Sequence, residues 1–156
     1  MSPEDPLLRL LARLAEEGGE YVLVGGQAVR LNGFLRATED VDLLVRPGRE
    51  NGERVKRALD FLAAARELDP AWFEGQGREA ENIRVADELI VDLLFAANGE
   101  TYESVQPYVR EVSVEGVRTR VLNIDGLLRT KTDSREKDIL DKRMLERIRR
   151  GLGPED

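Results

Sequence analysis

Residues 22 to 45 read VLVGGQAVRLNGFLRATEDVDLLV and carry the chain's clearest chemical signal. Asp40 and Asp42 alternate with Val41 and Leu43 in a run of strand-forming residues. Alternate residues of a strand share a face, so the two carboxylates project together and the two apolar side chains project to the other side. Carboxylates about 7 Å apart along a strand repel one another unless a cation sits between them. Upstream, an apolar strand ends in Gly25-Gly26 at the start of a helical segment, where backbone N–H groups can meet an anion. A cation site beside an anion site suits a metal-bound phosphate. That pairing points to nucleotide chemistry.

A further carboxylate, Asp92, interrupts the apolar run LIVDLLF. An unpaired charge in such surroundings is costly. Asp92 can sit on the exposed face of an edge strand or against an arginine. Alternatively it lies beside the strand of Asp40 and Asp42 as a third carboxylate. Three carboxylates with two divalent cations suit in-line nucleotidyl transfer: one ion activates the attacking hydroxyl, the other steadies the triphosphate and the leaving pyrophosphate. Composition agrees with this chemistry. The chain has no cysteine and no histidine, which removes disulfides, thiolate zinc sites and the commonest general base. Any metal is then hard and oxygen-ligated, favouring magnesium or manganese, and any general base is a carboxylate, lysine or tyrosine.

The elements that must position these groups follow from periodicity. A length of 156 residues suits one domain spanning residues 1–156. Leu7, Leu8, Leu10, Leu11 and Leu14 give a helix from Pro3 to Glu17, stopped by Gly18-Gly19. Strands are expected at 21–24 and 40–45, with a short helix over 27–34 between them and a helix over 50–67 after them. Trp72 to Gly77 reads as an irregular loop, mobile or substrate-facing, with Trp72 itself a core anchor or lid rather than a base-stacking platform. Two strands at 82–86 and 89–95 form a hairpin about Asp87-Glu88, a helix covers 102–110, and a second hairpin turns at Glu115-Gly116. Asp125 starts a helix through Lys131, and a last helix begins at Ser134 with Leu140, Met144 and Ile148 as its apolar stripe. The class is α+β, a small mixed sheet flanked by helices.

With 24 basic and 31 acidic residues, the net charge of −7 disfavours a broad nucleic-acid footprint while leaving room for a local basic patch. Nothing at the N-terminus resembles a signal peptide, and no apolar run is long enough to span a membrane. A cytoplasmic location is expected.

The glycine pair, thirteen residues, and then Asp-Val-Asp together resemble the DNA polymerase β-like nucleotidyltransferase superfamily. More narrowly, RATEDVD (Arg36, Thr38, Asp40, Asp42) and KTDSREKDILD (Lys131 to Asp141) resemble its abortive-infection AbiEii-like branch, which includes toxins of toxin–antitoxin pairs. The resemblance covers residues 21 to 45, 89 to 95 and 124 to 145. Two departures are Gln27 after the glycines and a glycine at position 26 where many members carry serine. The resemblance implies a minimal nucleotidyltransferase fold with helices 124–150 completing the site. It implies that Gly25 and Gly26 hold the β- and γ-phosphates, with Arg36 and Thr38 in the nucleotide site, and that Asp40, Asp42 and Asp92 bind magnesium or manganese. Asp92 would also activate the acceptor hydroxyl, and Lys131, with Lys137, would neutralise the triphosphate. By spacing alone, Lys131, Arg135, Lys137 and Asp138 read instead as a solvated helix face with weak ion pairs, and Asp138 and Asp141 as braces for Arg36 or Arg135.

The expected activity is transfer of a nucleoside monophosphate from an NTP to a hydroxyl of tRNA, a protein or a small molecule, with a cognate antitoxin as a further partner. The alternative is a catalytically inactive nucleotide-binding or antitoxin-type module. A DxD-type glycosyltransferase would need a larger nucleotide-sugar domain than this length offers.

Overall fold

The computed structural model describes residues 5–31, 40–74, 82–131 and 136–151. In chain order the elements are α1 (Pro6–Glu17), β1 (Tyr21–Val24), α2 (Gly25–Leu31), β2 (Asp40–Val45), α3 (Arg49–Leu59), β3 (Ile83–Ala86), β4 (Ile90–Leu94), β5 (Val109–Val114), β6 (Val117–Leu122), α4 (Ile124–Thr130) and α5 (Glu136–Arg149). The strands form one mixed sheet in the order β3-β4-β2-β1-β6-β5. β2 runs parallel to β4 and antiparallel to β1, and β1 runs parallel to β6. The expected α+β architecture is what the chain adopts.

Leucine spacing builds α1. Leu7, Leu10, Leu11 and Leu14 are buried, Asp5 caps the first turn through Leu7 and Leu8 N–H, and Gly18 closes the helix at φ 71°. α1 packs on α3 and on β6. β1 is apolar because both its faces are covered; all four of its residues are buried. In β2, Val41 and Leu43 are buried while Asp40 and Asp42 are half-exposed. The period-2 pattern therefore sorts carboxylates from core.

Three elements differ from the periodic reading. The helix expected over 50–67 stops at Leu59, and a 3₁₀ helix covers Ala63–Glu67. Between them Leu62 turns extended, and its buried side chain keeps the apolar spacing while the backbone changes course. The helix expected over 102–110 shrinks to a 3₁₀ turn, Gln106–Tyr108, because Pro107 removes a backbone donor and Val109 onward pairs with β6. In α5 the buried positions are Asp138, Asp141 and Leu145, whereas Leu140 is 48% exposed. The β5–β6 hairpin turns as expected at Glu115-Gly116, both at positive φ. Among the described residues no helix is long and apolar enough to cross a membrane.

A buried polar side chain sets the β1–β2 pairing. Asn51 of α3 accepts from the Glu20 N–H at 2.7 Å and donates to the carbonyls of Glu20 at 3.0 Å and Arg46 at 2.8 Å. Those residues flank the start of β1 and the end of β2, so one amide fixes both strand ends. Asn51→Leu leaves buried backbone groups unsatisfied, and the expected loss is about 1–3 kcal/mol in urea unfolding. A loss under about 0.5 kcal/mol, typical of an ordinary surface change, would show that the register is set elsewhere.

Candidate active site

Sheet register brings the acidic residues together. Val24 of β1 opposes Asp42 of β2, Asp42 opposes Asp92 of β4, and Asp92 opposes Arg84 of β3. Register partners project to the same face, so one row across four strands reads Val24, Asp42, Asp92, Arg84. Asp40 lies two residues before Asp42 on that face. These side chains line a cleft of about 560 Å³ whose walls also include Gly25, Asn98, Lys131 and Asp138.

Gly25 is required here for two reasons. Its φ is +68°, a conformation that side chains other than glycine's strain to adopt, and a Cβ would run into the Asp42 carboxylate, with Cγ at 2.9 Å. The carboxylate thus lies across the first residue of α2. Gly26 is buried and does not line the cleft. Of the two glycines, only Gly25 faces the carboxylates.

Arg84 is a cleft residue that sequence reasoning missed. Its Nε donates to Asp92 Oδ1 at 2.8 Å and its Nη2 to Asp92 Oδ2 at 3.1 Å, a two-pronged pair. The same Nη2 donates to Asp40 Oδ2 at 3.1 Å. The hydrogen bond to Asp92, then the charge of Asp92, with smaller contributions from Asp40 and Asp42, push the guanidinium's pKa above its ordinary value. The two placements open to Asp92 are therefore not exclusive: it lies beside the Asp40–Asp42 strand and is also held by an arginine. Among the described residues no group of three or more carboxylates is gathered closely enough to ligate one ion.

Lys131 corrects the solvated-face reading of the C-terminal cluster. It is 6% exposed at the end of α4, and its Nζ meets Asp141 at 3.0 Å and Asp138 at 3.9 Å, both buried. The two aspartates hold this lysine, and that is why α5 buries carboxylates where an apolar stripe was expected. Asn98, also unforeseen, sits at φ 49° and donates to the carbonyls of Arg129 at 3.1 Å and Lys131 at 3.0 Å, tying the lysine's backbone to the cleft wall. An Asn-Gly pair at 98–99 was the available sign. Asn123, not Asp125, caps α4, through Gly126 N–H at 2.8 Å, and Asp125 instead pairs with Arg149. Trp72 is 50% exposed, and the neighbouring Phe73 fills the core position against Phe95. Arg36 and Thr38, together with Ser134, Arg135 and the side chain of Lys137, lie outside the described residues.

Residues 9–132 match the family described as nucleotidyl transferase AbiEii toxin, type IV toxin–antitoxin system. The chain belongs to this AbiEii nucleotidyltransferase family. It is a nucleotidyltransferase by that membership, in keeping with the resemblance read from its two motifs. No curated protein matches the sequence significantly. Among solved structures it is similar to a crystal structure from Thermotoga maritima assigned as a nucleotidyltransferase, at a TM-score of 0.50 and 15% identity over 93% of this chain and 85% of that one. That likeness speaks for the fold.

Two substitutions test the geometry of the AbiEii-family site. Gly25→Ala is expected to cost about 1–3 kcal/mol in thermal or urea unfolding, since the new side chain meets both strain and the Asp42 carboxylate; a neutral result would mean Asp42 does not lie there. Lys131→Met, which keeps most of the volume and drops the charge, is expected to cost about 3 kcal/mol because it strips a cation from buried carboxylates. A loss of only a few tenths would return Lys131 to a solvated helix face.

Proposed function

We propose that the chain transfers a nucleoside monophosphate from an NTP to a hydroxyl acceptor in the cleft between β2, β4, α2 and α4, as the toxin of a toxin–antitoxin pair. The observation that carries this reading is a single one. Asp40, Asp42 and Asp92 share one face of adjacent strands, with Gly25 at one side and Lys131 in the same cleft. The family description supplies the toxin role and suggests a cognate antitoxin.

The donor set fits a hard divalent cation. Asp40 and Asp42 offer charged oxygens, and the Arg84 guanidinium between Asp40 and Asp92 acts as a stand-in for positive charge at that place. Asp40 and Asp42 would hold magnesium or manganese as a pair, with Asp92 joining them once Arg84 has left it. Such an ion, when bound, neutralises triphosphate charge and lowers the pKa of the attacking hydroxyl. The rest falls to the chain. Gly25, followed by Gly26, lets the phosphates approach α2 without meeting a side chain, and Arg36 and Thr38 serve the nucleotide as their family positions imply. Asp92 takes the hydroxyl proton on a carboxylate oxygen once its arginine has moved aside. Lys131, kept in place by Asp141, adds a fixed positive charge on the side where the pyrophosphate departs, and Lys137 assists it. tRNA, a protein side chain and a small molecule are the candidate acceptors, and a cytoplasmic location suits all three.

Arg84 favours a second reading as well, in which Asp92 stays locked and the domain binds nucleotide, or a partner protein, without turnover. Labelled NTPs with magnesium and a pool of tRNA or lysate separate the two. Transfer of label by the wild type, lost in Asp42→Asn with the fold retained, supports the enzyme. Tight Mg-ATP binding with no transfer from any NTP supports the module, and equal Mg-ATP affinity of wild type and Asp42→Asn in calorimetry would remove Asp42 from the metal site.

A further inference from the structure

We infer that Arg84 is a resident counter-ion of the carboxylate site, one that a divalent cation must displace and that thereby sets how much metal the site requires. The inference rests on the metal reading of Asp40, Asp42 and Asp92 given above.

Three observations carry it. First, the guanidinium bridges rather than touches, donating to both oxygens of Asp92 and to Oδ2 of Asp40. Asp40 and Asp92 are carboxylates that the metal reading assigns to the cation, so arginine and metal would compete for them. Second, the arginine is placed by backbone register: Arg84 opposes Asp92 directly across the β3–β4 ladder. Its backbone position is thus as fixed as the strands themselves. Third, the side chain has somewhere to go. Arg84 also lines a neighbouring cleft of about 470 Å³ with Trp72, Asn82 and Ile83, and it is more than half exposed. A flexible stem on an edge strand can therefore leave Asp92 without moving the backbone.

Physically, this resolves the repulsion that the row of carboxylates creates. Like charges on neighbouring strands disfavour the folded arrangement, and a cation between them restores it. Before metal arrives, Arg84 supplies a cation to Asp40 and Asp92. Metal binding then exchanges one positive partner for another, so its apparent affinity is reduced by the fraction of molecules in which Arg84 occupies the site. The released guanidinium stays at the border of the two clefts, a mobile positive charge next to the triphosphate.

The test is Mn²⁺ titration of the full chain without nucleotide, at low ionic strength, followed by electron paramagnetic resonance. Arg84→Met is expected to bind Mn²⁺ more tightly than wild type by roughly fivefold or more, within the usual size of coupling between competing partners. Arg84→Lys, which keeps the charge but loses the fork, falls between them. In thermal melts Arg84→Met is less stable than wild type without metal, and Mn²⁺ raises its Tm by more. Equal or weaker Mn²⁺ binding by Arg84→Met overturns the inference and leaves the metal site standing. Absence of Mn²⁺ binding in wild type and both variants overturns the inference and the metal reading together.

Discussion

Like charges that cannot move apart are the constraint around which this molecule is organised. Asp42 and Asp92 are register partners on adjacent parallel strands, and Asp40 shares their face. The apolar side chains of the same strands, Val41, Leu43, Val91 and Leu93, are fully buried on the other side. Turning the carboxylates away would expose that core, because a one-residue slip flips every side chain of a strand. Hydrophobic burial therefore enforces an electrostatically unfavourable row. Two unusual features near the row answer it: a glycine that makes room for Asp42 and an arginine fork on Asp92.

Lys131 solves a related problem by a different route. A buried charge is tolerated when partners replace its lost hydration, and here Asp138 and Asp141 do so from a separate helix. The arrangement explains why α5 docks by carboxylates plus Leu145 instead of a regular apolar stripe. It also makes the position of the lysine a property of tertiary structure. α4 ends at Thr130, and Asn98, from a distant turn, fixes the carbonyls on either side of that end. A cation so constrained has little freedom left to lose, since both its ammonium and its backbone are already held.

The site's central strand was readable because period 2 is strict: the alternation at 40–43 separates carboxylates from core with no tertiary information. Asp92 was readable as an anomaly in an apolar run. Arg84 was not, for a reason of one residue. A two-residue turn at Asp87-Glu88 would place Arg84 across from Val91, whereas the ladder pairs Ala86 with Ile90 and so sets Arg84 against Asp92. The length of one turn decided which side chain faced the carboxylate. The C-terminal cluster was legible as motif and illegible as environment, since charged residues at helical spacing look the same whether solvated or buried. Apolar spacing likewise continued through Leu62 although the α-helix had ended, because burial constrains side chains and leaves the backbone some choice.

The salt link between α4 and α5 has a consequence for the order in which the chain is made. The carboxylates on β2 and β4 and the turn at Gly25 are all in place within the first 92 residues. The lysine follows at 131, and the two aspartates that hold it come later still. Synthesis delivers N-terminal segments first, and domains fold as units once enough of the chain has emerged. A nascent chain that has passed β6 but not α5 carries the acidic half of its cleft and lacks the anchored cation. In such a chain Lys131 lacks both of its carboxylate partners until α5 leaves the ribosome.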